Sequence, residues 1–408
     1  MSVLNQLLTP LDTLKSANYY HDLCAGGCTV NYLINVYGSK DRLIPLISWN
    51  PIWNHRIAIE ISAQLNEAPR SNPISKDKIE IYRKSYLRAW STMPLKSNKS
   101  FSYFVGACAL DAVTKTYNKK NIETLLDITR KLVGDGCFTE GSHYSLYCSS
   151  AYQRAFRLLT NFYNDNECWI EIAQLMIKLQ EWQSNISDED GVVAVIGDSW
   201  YEKTNLPDKK DPNGVFRYQD MTIEKKSDWT VISNHRSSRF SLHEHAHADE
   251  ILVAKNNKWA IKGSGMPSYK QVMAKPWRWR RPRNHFSTES IFDWYIIWRI
   301  RKLLNNIQDR KIEINDNDMN IIDQGKKTIR LPIDNLHNWT LTDIYPESVG
   351  KDRLRFEHNG FIFQVAGDIK EVRECYAWIS DNYKTYNRSR TLRVTGVDMK
   401  TTIKSVVG

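Results

Sequence analysis

The sequence predicts an α+β protein of more than one domain, in which helices come first and an antiparallel β-sandwich follows. The chain has 408 residues, more than one ordinary hydrophobic core needs. Its first half carries apolar residues at three- and four-residue spacing, whereas from Val215 onward the apolar period is mostly two. Helices followed by strands are typical of α+β proteins. We therefore expect a helical domain at 1–195, a linker at 196–214 and a β-sandwich at 215–408.

The helical half is predicted from segments in which apolar residues recur on one face of a helix. Glycine, proline, asparagine and aspartate separate these segments. Successive helices joined by short loops pack as antiparallel pairs, so we expect a layered helical array. The segments are 57–65, 78–90, 101–117, 122–133, 151–163 and 169–182.

The second half is predicted from short segments of alternating polarity bounded by turn residues, the pattern of an antiparallel sandwich. One apolar and aromatic segment, 291–304, does not alternate and fits either a long strand or a helix against the sheet. The alternating segments are 221–224, 229–233, 259–262, 311–314, 328–331, 353–356, 360–365 and 392–395.

Composition limits the class of protein. A hydrophobic fraction of 41% and a charged fraction of 25% are ordinary for a globular chain and exclude wholesale disorder. The net charge of +10 favours an anionic partner, such as nucleic acid, acidic polysaccharide or a membrane surface. The 14 tryptophans and 20 tyrosines have flat faces that suit sugar-binding clefts, although such residues more often build cores.

Cysteine usage and the N-terminus predict a cytoplasmic protein. The seven cysteines are odd in number, and most lie in helical apolar patterns, as free buried thiols do. Residues 1–10 lack the basic start and apolar run of a Sec-type signal peptide. Because no stretch approaches the length of about 18 apolar residues, we expect no membrane span.

Three histidines occur at every second position in Leu242–Glu250. In a strand, residues two apart share a face, so His243, His245, His247 and Asp249 would form one row. A row of imidazoles is costly to bury unless each ring has a partner. A metal, a substrate or a hydrogen-bond network is therefore expected nearby, and the alternative is a solvated, histidine-rich edge strand.

A second reactive cluster lies between two predicted helices. Glu140, Ser142, His143, Tyr144 and Tyr147 fall within eight residues, and loops that join scaffold elements often carry reactive groups. The alternative is an ordinary helix start, because serine is a good N-cap and glutamate is favourable at a helix N-terminus.

A third cluster, Lys275–Thr288, interleaves four arginines with two tryptophans. Guanidinium groups form paired hydrogen bonds to carboxylate, sulfate or phosphate. The same mixture would suit single-stranded nucleic acid, but no recognisable nucleic-acid motif accompanies it. A basic surface loop is the third interpretation.

Several motifs together resemble those of the heparinase II/III-like polysaccharide lyases. An Asp-Gly-x-x-x-Glu-Gly-Ser-x-Tyr motif at 135–144 is followed by His-x-His-Ala-Asp at 245–249. Further similar segments come in the same order as in that family, and the resemblance spans about residues 45–290. They are Trp49–Ile57, Ile196–Ser199, Ile261–Tyr269 and Arg281–Thr288.

The resemblance implies an α/α toroid followed by an antiparallel β-sandwich, and here the helical half is short for such a toroid. It also implies cleavage of uronic-acid polysaccharides by β-elimination. In that reaction, a base removes the C5 proton once the carboxylate is neutralised, and an acid protonates the oxygen that leaves C4.

Matched position by position, the resemblance implies a catalytic pair of Tyr144 and His245. Glu140 would orient Tyr144 or bind substrate. Asn98 lies where the family has the asparagine of an Asn-His pair that neutralises the substrate carboxylate, and Lys99 follows it instead of histidine. The further candidates for substrate binding are His143, Tyr147, His243, Trp277, Arg281 and Arg283.

The resemblance also implies a structural zinc ion held by His247 and His285. The family's aspartate ligand in the turn after the histidine strand is absent here, where Lys262–Ser264 stand. Asp249 is the remaining candidate ligand, and structural zinc normally has four.

The expected partner is an acidic polysaccharide or oligosaccharide, with nucleic acid disfavoured. A cytoplasmic lyase of this kind would suit bacterial capsule, exopolysaccharide or O-antigen metabolism. The alternative is a catalytically different or inactive relative that binds or transfers glycans during polysaccharide synthesis, because one fold hosts several functions.

Overall fold

The computed structural model divides the chain into two compact units, 1–134 with 145–179, and 135–144 with 180–408. The expected domain boundaries, with a helical domain to 195 and a linker to 214, stay a prediction. The residues that the structure describes are 62, 80, 83–84, 86–87, 97–188, 191–197, 199, 202–203, 213–218, 221–234, 251–256, 258–263, 287–288, 310–333, 352–379 and 387–406.

Four long helices occupy the described residues between 97 and 188, and they confirm the segments predicted there from helical spacing. The third starts well before the predicted Ala151, so the cluster that contains Tyr144 lies on its first turns. Isolated described residues at 62, 80, 83–84 and 86–87 are helical too. The helices are α1 (Asn98–Thr114), α2 (Lys119–Val133), α3 (Ser142–Tyr163) and α4 (Glu167–Asn185).

Local sequence explains where α1 begins and ends. Ser97 and Ser100 form a capping box, in which each side-chain oxygen accepts the other residue's backbone N–H. Lys115 ends the helix in the left-handed conformation, with φ 53°. Nearly every α1 residue is buried, as expected for a helix that is apolar on all sides.

A buried carboxylate joins three helical segments of the first unit. Asp111 on α1 is fully buried. Its Oδ1 accepts a hydrogen bond from Arg83 Nε at 2.8 Å, and its Oδ2 accepts one from Asn121 Nδ2 at 2.7 Å. Buried charges persist in proteins when they are paired and hydrogen-bonded, so this contact fixes the relative positions of α1, α2 and the segment around Arg83.

The second unit contains two antiparallel sheets and one short strand pair. The first sheet has the order β3-β4-β5-β6-β7, and the second has the order β11-β12-β13-β10-β8, with β9 beside β10; β1 pairs with β2. The strands are β1 (Val192–Val193), β2 (Glu202–Lys203), β3 (Gly214–Arg217), β4 (Met221–Lys226), β5 (Trp229–Asn234), β6 (Ile251–Lys255), β7 (Lys258–Ile261), β8 (Ser287–Thr288), β9 (Arg310–Ile314), β10 (Asp318–Ile333), β11 (Asp352–His358), β12 (Phe361–Ile379) and β13 (Asn387–Ser405).

The two larger sheets share one buried core, as the layers of a β-sandwich do. Val231 and Val253 come from the first sheet, and Ile321, Phe363 and Val394 come from the second. In the second sheet, Phe363 lies on a strand whose buried and partly exposed residues alternate, whereas four of the five residues of β6 in the first sheet are buried. The α+β class with two antiparallel sheets is thus confirmed for the described residues, whereas the toroid stays a prediction.

Within the described part of the chain, no helix is long and apolar enough to cross a membrane. The five cysteines described there are free; three are buried, and Cys168 and Cys375 are partly exposed.

Candidate active site

The candidate site is built on the segment that leads from α2 into α3. Gly141 immediately precedes α3 and has φ +92°, a conformation that side chains other than glycine rarely adopt. A Cβ at this position would lie 2.3 Å from the carbonyl oxygen of Ile196. Glycine is therefore required both by the backbone angle and by the close approach of a second chain segment.

That second segment consists of Val195, Ile196, Gly197 and Ser199, and we call it the strap. The Ser142 N–H donates to the Ile196 carbonyl at 3.0 Å, and the Ile196 N–H donates to Ser142 Oγ at 3.2 Å. The His143 N–H donates to Ser199 Oγ at 3.1 Å. Two motifs that the sequence analysis identified separately therefore meet at the start of α3.

The strap also touches the turn that follows β7. A Cβ on Gly263 would lie 2.2 Å from the carbonyl oxygen of Val195, so only glycine permits this approach. Gly263 belongs to Ile261–Tyr269, another of the segments that resemble the lyase family. The strap thus contacts both the start of α3 (residues 140–147, which we call the α3 turn) and the turn after β7. The contacting residues Gly141, Ser142, His143 and Gly263 all belong to the second unit, as the strap does.

The side chains on the α3 turn differ in exposure. Glu140 is 4% exposed and Tyr144 is 3% exposed, whereas His143 and Tyr147 are half-buried. The rings of His143 and Tyr144 meet edge-to-face, with centroids 5.8 Å apart. A carboxylate beside a helix N-terminus is favoured by the helix dipole, which fits the burial of Glu140.

A helix does begin at this cluster, and the predicted reactive role of the cluster stays a prediction. Ser142 was expected to cap α3, but it is the first helical residue. Its hydroxyl oxygen accepts the Ile196 N–H of the strap instead.

Asn98 lies in the first unit, on the first turn of α1, and is fully buried. The capping box formed by Ser97 and Ser100 fixes this turn. Lys99, beside it, is partly exposed. The structure thus holds the asparagine on a rigid element.

Tyr218, which the sequence analysis did not single out, lies near the Asp135 end of the same segment. Its hydroxyl accepts a hydrogen bond from Asn185 Nδ2 at 3.3 Å. Burial raises the pKa of Tyr218; the hydrogen bond from Asn185 opposes this rise, and electrostatic interactions with Cys137, Glu181 and Asp135 add to it. A raised pKa favours the protonated phenol. Its sequence context, a polar turn, gives no signal of this environment.

The remaining candidates lie outside the described residues. Among the residues that the structure does describe, no group of three or more His, Cys, Asp or Glu side chains is arranged to hold a metal ion. The zinc ligand set therefore stays a prediction. The candidates outside are His243, His245, His247, Asp249, Trp277, Arg281, Arg283 and His285.

Comparison with known proteins identifies the fold. No family model matches the sequence, and no curated protein matches it. Solved structures do match. One, described as the heparinase III BT4657 gene product, has a TM-score of 0.58 and 12% identity over 88% of this chain and 68% of that one. The chain has a heparinase-like fold.

The heparan sulfate lyase HepC from Pedobacter heparinus supports the same heparinase-like fold. It matches with a TM-score of 0.58 and 10% identity, over 96% of this chain and 76% of that one. Identities this low establish the fold alone. The function must therefore be argued from the chain's own residues.

Proposed function

We propose that the protein is a polysaccharide lyase that cleaves a uronic-acid-containing acidic polysaccharide by β-elimination. The observation that carries the proposal is the strap-held α3 turn in a heparinase-like fold. The residues that match the lyase motif, Glu140 just before α3 and Tyr144 in its first turn, are both buried there. The net charge of +10 supports an anionic substrate.

The proposed reaction breaks one bond between sugar and oxygen without adding water. A base removes the proton from C5 of the uronate, and that electron pair forms the C4–C5 double bond. The C4–O bond of the same sugar unit breaks, and its electron pair leaves on the glycosidic oxygen. An acid then protonates that oxygen. Positive charge or hydrogen-bond donors near the carboxylate stabilise the negative charge that develops.

We assign the acid and base roles to Tyr144 and His245 as a pair. Glu140 would orient Tyr144, and Asn98 would donate to the substrate carboxylate. Because Tyr144 is 3% exposed, it would act in surroundings of lower dielectric than water, where hydrogen bonds to developing charge are stronger. The residues proposed to hold the sugar chain are His143, Tyr147, His243, Trp277, Arg281 and Arg283.

We further propose a structural role for zinc, with His247, His285 and Asp249 as the residues that would hold it. A zinc ion there would brace the histidine-bearing segment. The chemistry above does not depend on it. Capsule, exopolysaccharide or O-antigen metabolism is the biological setting that we propose for the activity.

The test is a lyase assay with Tyr144→Phe. Wild-type protein mixed with a panel of uronate polysaccharides should produce an ultraviolet absorbance, because the new double bond is conjugated with the carboxylate. Removing the phenolic hydroxyl should lower kcat by about 10²–10⁴, the usual contribution of a general acid or base. Tyr117→Phe is the control, since Tyr117 is 56% exposed and lies in the loop between α1 and α2, and it should keep full activity.

Two results would count against the proposal. If folded wild-type protein gives no absorbance with any uronate polymer, elimination is not its reaction. If Tyr144→Phe cleaves as fast as wild type, Tyr144 is not the acid or base. Binding of a uronate oligosaccharide without cleavage would instead favour the glycan-binding alternative.

A further inference from the structure

The N-terminus of α3 is satisfied by a chain segment more than fifty residues away in sequence. The first amides of a helix have no partner within the helix and need acceptors elsewhere. Here the Ser142 N–H uses the Ile196 carbonyl, and the His143 N–H uses Ser199 Oγ. Most helices solve this problem with a local side chain at the N-cap, but the residue before α3 is Gly141.

The Ser199 hydroxyl both donates and accepts a hydrogen bond. Its hydroxyl donates to the Ile196 carbonyl at 2.5 Å and accepts from the His143 N–H at 3.1 Å. The residue is fully buried, so water does not compete for these hydrogen bonds. One hydroxyl therefore connects the strap to the backbone amide immediately before Tyr144.

We propose that Ser199 is a positioning residue for Tyr144. It fixes the first turn of α3 and so the direction in which the Tyr144 side chain leaves the helix. The strap also contacts Gly263 through Val195, so the same segment sets the spacing between the Tyr144 turn and the turn after β7. The importance of that spacing for catalysis rests on the proposed function, but the positioning itself does not.

The test compares Ser199→Ala with Ser187→Ala. Ser187 is also buried, and its hydroxyl also donates to a backbone carbonyl, that of Gln183 at 2.7 Å. It lies in the same unit, just after α4, so it controls for the loss of a buried hydroxyl that donates to a backbone carbonyl. Ser199→Thr, which keeps the hydroxyl, should restore wild-type behaviour.

The first readout is the NMR signal of Tyr144 in protein labelled with ¹³C-tyrosine, assigned through its loss in Tyr144→Phe. Ser199→Ala should shift or broaden this signal, whereas Ser187→Ala should leave it unchanged. In wild-type protein, the His143 amide should exchange slowly with deuterium although it lies in a first helical turn. This second measurement needs no variant. Fast exchange of that amide, or an unchanged Tyr144 signal in Ser199→Ala, would overturn the proposal.

The second readout is lyase kinetics. Ser199→Ala should lower kcat by about 10- to 100-fold with KM little changed, the size of effect expected when a reacting group is displaced by about 1 Å. If wild-type protein shows no lyase activity but the Tyr144 signal moves only in Ser199→Ala, the positioning role stands and the proposed function fails. If activity is present and equal in both serine variants, the positioning role fails and the proposed function stands.

Discussion

At the scale of single residues, three glycines of the second unit show that glycine is required for two different reasons, a backbone angle and a close approach of another chain segment. Gly325 has φ +73° with nothing within 4 Å of an added Cβ, so only its backbone angle matters. Gly263 has no such angle, but an added Cβ would meet the Val195 carbonyl oxygen at 2.2 Å. Gly141 has both constraints, with φ +92° and a 2.3 Å approach to Ile196.

We therefore predict a graded loss of stability when each glycine is replaced by alanine. The expected costs are about 1 kcal/mol at Gly325 for the left-handed conformation, about 1–3 kcal/mol at Gly263 for overpacking, and more than about 3 kcal/mol at Gly141, where both apply. Urea denaturation measures the free energy of unfolding of each variant. Equal losses at Gly325 and Gly141 would mean that the strap does not press on the α3 turn.

The same residues mark the limit of sequence reasoning at the site. The sequence identified the 135–144 motif and the Ile196–Ser199 motif, and it predicted helices on either side of Tyr144, with a helix start at Ser142 as the alternative. It could not predict that the two motifs touch, because partners so far apart in the chain leave no periodic signal. Ser199 could be singled out only as part of a motif, since the burial of a hydroxyl depends on the folded chain around it.

At the scale of secondary-structure elements, the network around Asp111 connects α1 with α2 and with Arg83. Burial raises the pKa of Asp111; hydrogen bonds from Asn121 and Arg83 and the positive charge of Arg83 oppose this rise, and Glu80 adds to it. Because the folded-state pKa lies above the unfolded one, the folded protein keeps a proton that the unfolded chain has released between these two values. Stability from this group is therefore greatest at low pH and is lost as pH rises through the raised pKa.

The prediction concerns the difference in unfolding free energy between wild type and Asp111→Asn. As pH rises from about 3.9, the ordinary aspartate value, wild type should lose stability relative to the variant. Because arginine stays charged at every pH in this range, the loss of the carboxylate partner of Arg83 in the variant changes the free energy of unfolding by an amount that does not vary with pH. Urea denaturation across this pH range measures the slope. Asp165→Asn is the control, because Asp165 is exposed and its carboxylate is in water in both states; a flat difference for Asp111→Asn would contradict the prediction.

Strand length is the element property that the sequence predicted least well. Only Gly360–Val365 and Leu392–Thr395 were predicted within β12 and β13, yet each strand has 19 residues. Gly367 in β12 lies at a register shift and has φ +152°. A bulge of this kind resets the alternation of polarity, so the periodic signal stops there although the strand continues.

At the scale of the whole molecule, the net charge favours an anionic ligand. The 56 basic and 46 acidic residues leave a charge of +10, which attracts any polyanion through a long-range, salt-sensitive field. Charge alone thus does not distinguish a uronate polysaccharide from nucleic acid. The two differ in what remains when salt screens this field, because site-specific contacts at short range are screened less.

The prediction is that Tyr144→Phe, which should bind without cleaving, discriminates between these polymers as salt increases. Fluorescence anisotropy would compare a labelled uronate oligosaccharide, a neutral oligosaccharide and single-stranded DNA with the same number of charges. At low salt, both anions should bind and the neutral sugar should not. DNA binding should fall steeply with salt, as expected for purely electrostatic contacts, while uronate binding should persist. If DNA remains bound as tightly as the uronate at high salt, the nucleic-acid interpretation replaces the glycan one.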